Sequence, residues 1–288
     1  MRIRSKVKKL LIKFHIEKHE FYMILLLNLF YFLLLLLCTF LFVDTMIIIL
    51  SIIEVLLLLF LHNYSIILQK RKNSYAKQNQ INDYNQIESY INLVSVINIT
   101  RPLPKMRGAA IAPDFANILV SIMLENKPEV ILECGSGVST LIISYCIKKL
   151  GSGHIWSLDH EKKYLDITRK NVQIHGLENY ASVIFAPLKS IVIDNKNYNW
   201  YETKSLKTIP SKIDLLVIDG PPRRYSSDVR YPALPLLYDY LSDDAVIVLD
   251  DANRQGEKEI INKWLELYNI FTYELNDTEK GTVILRKL

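Results

Sequence analysis

Residues Val130 to Thr140 read Val-Ile-Leu-Glu-Cys-Gly-Ser-Gly-Val-Ser-Thr, and a second apolar run closes on Asp159. The acid follows the glycines by roughly twenty residues, the spacing of a nucleotide-binding βαβ unit. This feature constrains the chain most. An apolar run, a Gly-x-Gly turn and a helical pattern predict strand, tight turn and helix in immediate succession. Glycine lets backbone approach a ligand closely, and the helix N-terminus presents N–H groups without an intrahelical partner. An acid at the end of the next strand can accept both hydroxyls of a ribose.

Two details bear on which nucleotide fits. Thr140 stands where a dinucleotide fingerprint places its third glycine, and Glu133 immediately precedes Cys134 and the turn. A pyrophosphate would meet that carboxylate head-on, whereas a cationic ligand would be attracted. This disfavours a nicotinamide oxidoreductase. S-adenosylmethionine carries a sulfonium, an ammonium and a ribose, and no phosphate. Glu133-Cys-Gly135-Ser136-Gly137 resembles the first motif of the class I S-adenosylmethionine-dependent methyltransferases, and Asp159 resembles their ribose-binding acid. The resemblance covers about residues 101–288. It implies a Rossmann-like α/β fold, a doubly wound and mostly parallel sheet. The expected donor site is Glu133, Gly135, Ser136, Gly137, Thr140 and Asp159, and His160, which directly follows the ribose acid, is read either as a neighbour of the adenine or as an ordinary structural histidine.

The remaining pattern agrees with such a sheet. Apolar runs at 130–134, 154–159, 181–186, 213–219 and 245–250 alternate with helical patterns at 113–125, 139–150, 161–174, 231–241 and 257–268. Two closing strands, 271–275 and 282–285, predict an antiparallel hairpin at the edge. Residues 189–212 read as a polar stretch around Trp200 and Tyr201, either a substrate wall or aromatics covering a sheet edge. Arg101, Arg107 and Gly108 belong to a breaker-rich loop before the first helix, read as structural or as a lid.

Acids recur at the strand ends: Asp219 before Gly220-Pro-Pro222, and Asp250-Asp251. Converging carboxylates repel unless protonated or bridged by a cation, and a hard divalent ion suits oxygen ligands. The pattern resembles the macrocin-type branch of O-methyltransferases, which implies magnesium held by Asp219, Asp250 and Asp251. Alternatively Asp251 caps the following helix. Asp219 is the candidate catalytic group, as metal ligand or as the base that takes the acceptor's proton. Arg223, Arg224, Tyr225 and Arg230 follow in a loop, read as a grip for an anionic substrate group or as a solvated surface.

Before this domain lies a different composition. From Phe21 to Leu61 the only charges are Asp44 and Glu54. Residues 21–43 would extend about 34 Å as a helix, enough to cross a bilayer, and residues 45–61 about 25 Å. The expected organisation is a basic arm at 1–20, a transmembrane helical hairpin at 21–62 turning near Asp44, a linker and helical extension at 63–105, and the methyltransferase domain at 106–288. Val7, Leu10, Leu11 and Phe14 share one helical face of the arm. Seven basic residues precede the hairpin, and Lys70, Arg71, Lys72 and Lys77 follow it. Both flanks are therefore expected in the cytoplasm, with the catalytic domain and both termini.

The net charge of +5 belongs to those flanks, and residues 78–288 carry a small acidic excess. Anionic membrane lipid is the natural partner of the flanks, and a nucleic-acid partner is disfavoured. Three widely spaced cysteines indicate neither a disulfide framework nor a zinc site. Glu54 is an intramembrane acid, a functional candidate or a contact to the partner helix or an oligomer. The combined expectation is a membrane-anchored enzyme that O-methylates a glycan or lipid-linked acceptor. The alternatives are an inactive membrane scaffold of the same fold and an N-methyltransferase.

Overall fold

The computed structural model describes residues 18–39, 45–202, 204 and 212–288. The basic arm, apart from its last residues, and the expected turn at Asp44 lie outside the described residues. The chain divides into two compact units, Met1–Gln78 and Asn79–Leu288.

In the first unit, helix α1 spans Lys18–Thr39, and helix α2 begins at Thr45. Both are long and apolar enough to cross a membrane by length and composition. Their large side chains point outward: Leu26 is 66 % and Phe30 65 % exposed. Glu54 is not left alone. The Tyr31 hydroxyl donates a 2.9 Å hydrogen bond to its Oε2, which links the two helices. Helix α2 does not end with its apolar stretch but continues to Val96. The Lys-, Asn- and Gln-rich segment contains no glycine or proline to stop it.

Among the described residues, the second unit is built on a seven-stranded sheet. The strands are β1 (Val130–Cys134), β2 (His154–Asp159), β3 (Ala181–Phe185), β6 (Ile213–Ile218), β7 (Leu241–Asp250), β8 (Phe271–Asn276) and β9 (Thr282–Lys287). Their order is β3-β2-β1-β6-β7-β9-β8. Pairing is parallel from β3 to β7, and β9 and β8 add an antiparallel edge. The chain runs outward from β1 through β2 to β3, then returns to place β6 on the other side of β1. The β1/β6 boundary is thus the switch point of the sheet, where ligands bind beyond the carboxyl ends of the strands.

Side-chain alternation along the strands feeds two cores. Ile131, Leu215, Val217 and Val248 pack on one face with helices α3 (Pro113–Asn126), α4 (Val138–Leu150) and α5 (Lys162–Ile174). Leu132, Cys134, Leu216, Ile218 and Leu249 pack on the other with α6 (Ala233–Leu237) and α7 (Gln255–Leu267). The C-terminal part of α2 joins the first core through the buried Leu93.

Two expectations are corrected. The polar stretch after β3 contains a β-hairpin, β4 (Leu188–Ile193) and β5 (Lys196–Tyr201). Asp194 and Asn195 turn it with φ of 49° and 61°, the two left-handed residues of a tight hairpin turn. The helix expected at 231–241 shrinks to Ala233–Leu237 plus a 3-10 turn, because Pro232 and Pro235 confine it, and β7 already starts at Leu241.

Candidate active site

The cavity that contains the expected donor site has a volume of about 670 Å³, within the range of small-molecule sites. Its floor is the switch point. The Asp219 N–H donates to the Cys134 carbonyl at 3.0 Å, which ties the two strand ends together. Gly135 adopts φ 113°, and a Cβ there would press on the Gly220 backbone at 3.4 Å. Any side chain at 135 would strain the turn and crowd the crevice.

Gly135, Ser136, Gly137, Asp159 and His160 all line the cavity. Ser136 donates to Asp159 Oδ2 at 2.6 Å, and Asp159 Oδ1 accepts the Glu161 N–H at 2.9 Å. Burial lifts the Asp159 carboxyl above its usual range, and the Ser136 hydrogen bond works against that rise. The His160 ring packs edge-on against Tyr201 and Tyr225, and burial holds it below the ordinary imidazole range.

Glu133 and Thr140 are placed otherwise. Neither lines the cavity. Glu133 is fully buried, and its Oε2 accepts hydrogen bonds from Thr140 at 2.6 Å and Ser157 at 2.5 Å. Thr140 Oγ1 in turn accepts the Gly137 N–H at 3.1 Å. The expected direct contact with the donor is replaced by a bracing role. Strand alternation turns the Glu133 side chain behind the turn, where Thr140 transmits its hold to Gly137. Burial pushes the Glu133 carboxyl upward, against the hydroxyls that favour its charged form.

The acids beyond β6 and β7 do converge. Asp219, Asp250 and Asp251 each offer a carboxylate oxygen within 4.8 Å of the others. Asp251 stands at φ 65°, a left-handed backbone that aims its side chain back toward Asp219 and Arg230. Between the strand ends lies Arg230, read from sequence as a substrate grip or as part of a solvated loop. It lines the cavity and is buried. Its Nη2 donates to the Asp219 carbonyl at 2.6 Å and to Asp251 Oδ2 at 2.8 Å, and its Nη1 to the Asp250 carbonyl at 2.9 Å. The guanidinium staples β6 to β7 and offsets part of the acidic charge. Arg254 adds a 2.6 Å ion pair to Asp251.

The compensation is incomplete. Both oxygens of Asp250 and Oδ1 of Asp251 are buried without a hydrogen-bond partner. Burial pushes the Asp219 carboxyl up to about 6 and that of Asp250 up to about 8. Hard, unshared oxygen donors in this number fit a proton or a divalent cation.

Of the other loop residues, Arg223 and Arg224 line the cavity, and Arg224 pairs with Glu161. Arg107 is not at the cavity wall. It binds Asp83 and Glu279, each at 2.7 Å, while the neighbouring Gly108 does line the cavity. Tyr201, at the end of β5, lines it as well. Sequence reasoning left its role open, and the Asp194-Asn195 turn was the signal that would have placed it.

Residues 132–252 match a family described as "Methyltransferase domain". A comparison with curated protein sequences returns no match. Among solved structures, the chain is similar to an O-methyltransferase from Bacillus cereus in complex with SAH. The identity is 17 %, the TM-score 0.50, and the match covers 73 % of this chain and 97 % of that one. It is also similar to the SAH-bound methyltransferase PaMTH1 from Podospora anserina, at 16 % identity and TM-score 0.50, over 70 % and 87 % of the two chains. The sheet order and the glycine turn at the switch point agree with a Rossmann-like methyltransferase fold, and residues 132–252 carry the match to the methyltransferase family.

Proposed function

We propose that this protein is a membrane-anchored O-methyltransferase that acts on a hydroxyl of a glycan or lipid-linked acceptor. The observation that carries the chemistry is Asp219, a carboxylate at the C-terminal end of β6 that lines the donor cavity. The methyl group on a sulfonium is already activated. The enzyme must align the methyl carbon with the acceptor oxygen and remove the hydroxyl proton. As the oxygen–carbon bond forms, the carbon–sulfur bond breaks and S-adenosylhomocysteine leaves. The hydroxyl proton passes to Asp219, whose carboxyl, raised to about 6, is matched to accept it near neutral pH.

In the alternative role Asp219 would join Asp250 and Asp251 in holding a magnesium ion; it would then act as a ligand and not as the base, and the ion would lower the acceptor hydroxyl's pKa as a Lewis acid. The outward apolar faces of α1 and α2 support the anchor, and the basic flanks support cytoplasmic termini. An enzyme held at the bilayer gains access to an acceptor held there, with anionic lipid as the neighbour of the flanks. The hairpin also offers a surface for self-association.

Labelled S-adenosylmethionine incubated with the full chain and a membrane extract tests this reading. The expected result is transfer to a glycolipid or polysaccharide fraction, with an increment of about 14 daltons for one CH₂, lowered ~100-fold or more in Asp219→Asn. Undiminished transfer by Asp219→Asn, or a label on an amine, would contradict it.

A further inference from the structure

The β4–β5 hairpin delivers one residue to the cavity whose role no motif assigns. Tyr201 ends β5 and is 2 % exposed, with its ring packed edge-on against Trp200 at 5.2 Å. Among the described residues its hydroxyl has no hydrogen-bond partner, yet it is not sealed among the buried orphan atoms, because Tyr201 lines the cavity. The hydroxyl lies against Gly220 and occupies the space that a side-chain carbon there would take. Gly220 in turn touches Gly135 across the switch point. The phenol therefore hangs over the meeting of β1 and β6. His160 of the donor half packs edge-on against its ring at 6.2 Å, and Asp159 and Asp219 both act on the phenol electrostatically.

The methyl group must pass across this junction. The geometry points to the Tyr201 hydroxyl oxygen as the contact that receives the polarised methyl of the bound sulfonium and aims it at the acceptor. This inference rests on the donor reading of the cavity. A methyl on a positively charged sulfur has acidic C–H bonds, and an oxygen with free lone pairs offers them weak hydrogen bonds. Burial pushes the Tyr201 phenol far above its usual range, so it stays neutral and serves as an acceptor and not as a base. A group fixed by its own packing imposes no reorganisation when the donor binds.

Three donors that differ only at this point provide the test, measured by calorimetry on the full chain. S-adenosylmethionine carries the methyl, sinefungin carries an ammonium in its place, and S-adenosylhomocysteine carries neither. In Tyr201→Phe, affinity for S-adenosylmethionine should fall about two- to fivefold. Affinity for sinefungin should fall about tenfold or more, since it loses a hydrogen bond from a charged group. Affinity for S-adenosylhomocysteine should stay within about twofold of wild type, which a merely structural role would not produce. Tyr201→Leu, which also removes the hydroxyl and leaves the glycine turn untouched, should rank the three ligands in the same way and covers the case in which Tyr201→Phe does not fold. Equal losses for all three ligands, or no loss for any, would overturn the assignment. Failure of the wild type to bind any of them would instead overturn the donor site itself.

Discussion

The two units of this chain use the same apolar residues in opposite ways. In α1 and the first part of α2, leucines, isoleucines and phenylalanines turn outward, as Leu26 and Phe30 do. In the sheet of the second unit, Ile131, Leu132, Leu216 and Val217 are fully buried. Water would penalise the first arrangement heavily, at about 25 cal/mol per Å² of exposed apolar surface. A bilayer reverses that sign, because a helix satisfies its own backbone and lipid tails take up its side chains. Polar groups show the same contrast. The first unit pairs one acid with one tyrosine, Glu54 with Tyr31, whereas the second gathers the buried Asp250, Asp251 and Glu257 and the half-buried Asp219 around Arg230. Apolar contact thus defines one unit, and a costly polar cluster marks the working end of the other.

The largest effect is expected where that cluster is broken. Arg230→Met removes the buried cation and leaves Asp219 and Asp251 facing each other, at a cost of about 3–5 kcal/mol. Thermal unfolding of the full chain should show it as a large drop in Tm. A Tm at the wild-type value would mean that the carboxylates are already neutralised some other way. Next is the apolar unit. Ile53→Arg places a charge on an outward face of α2, at roughly 2.5–3.5 kcal/mol near the middle of the apolar stretch. Membrane fractionation should show a loss of the integral form while S-adenosylhomocysteine binding persists. An unchanged membrane fraction would remove the distinction between the two units.

A smaller effect follows from pH. The folded Asp250 carboxyl is raised from 3.8 to about 8. Between about pH 4 and 8 the folded state therefore holds a proton that the unfolded state has lost, so stability falls as pH rises through this window. Without divalent ions, Tm should be a few degrees higher at pH 6 than at pH 8. Asp250→Asn should flatten that slope, and magnesium should raise Tm at pH 8 if the acids hold it. A Tm that rises with pH would reverse the sign and contradict the burial argument.

How far these features can be read from sequence depends on how locally they are encoded. The parallel strands are short apolar runs between turn residues, and they appear where the runs do, at 130–134, 154–159 and 213–218. Asp159, Asp219 and Asp250-Asp251 are readable because each closes a run, and their convergence follows from the strand order. Arg230 is not readable. It looks like one more charge in an arginine-rich loop, and only the folded chain shows that β6 and β7 close around it. Glu133 fails for a related reason: its position beside the turn is visible, but which face its side chain takes depends on the sheet. The β4–β5 hairpin hides in a polar composition, with Tyr198 and Trp200 turned inward at alternate positions. The end of α2 is invisible as well, since nothing before Val96 breaks the helix.

Equilibrium binding of S-adenosylhomocysteine to the full chain tests the central claim, the donor cavity at the β1/β6 switch point, most directly. One site per chain is expected, with affinity reduced about 100-fold in Asp159→Ala, since a charged acceptor of two ribose hydroxyls is lost. No saturable binding, or full affinity in Asp159→Ala, would contradict it.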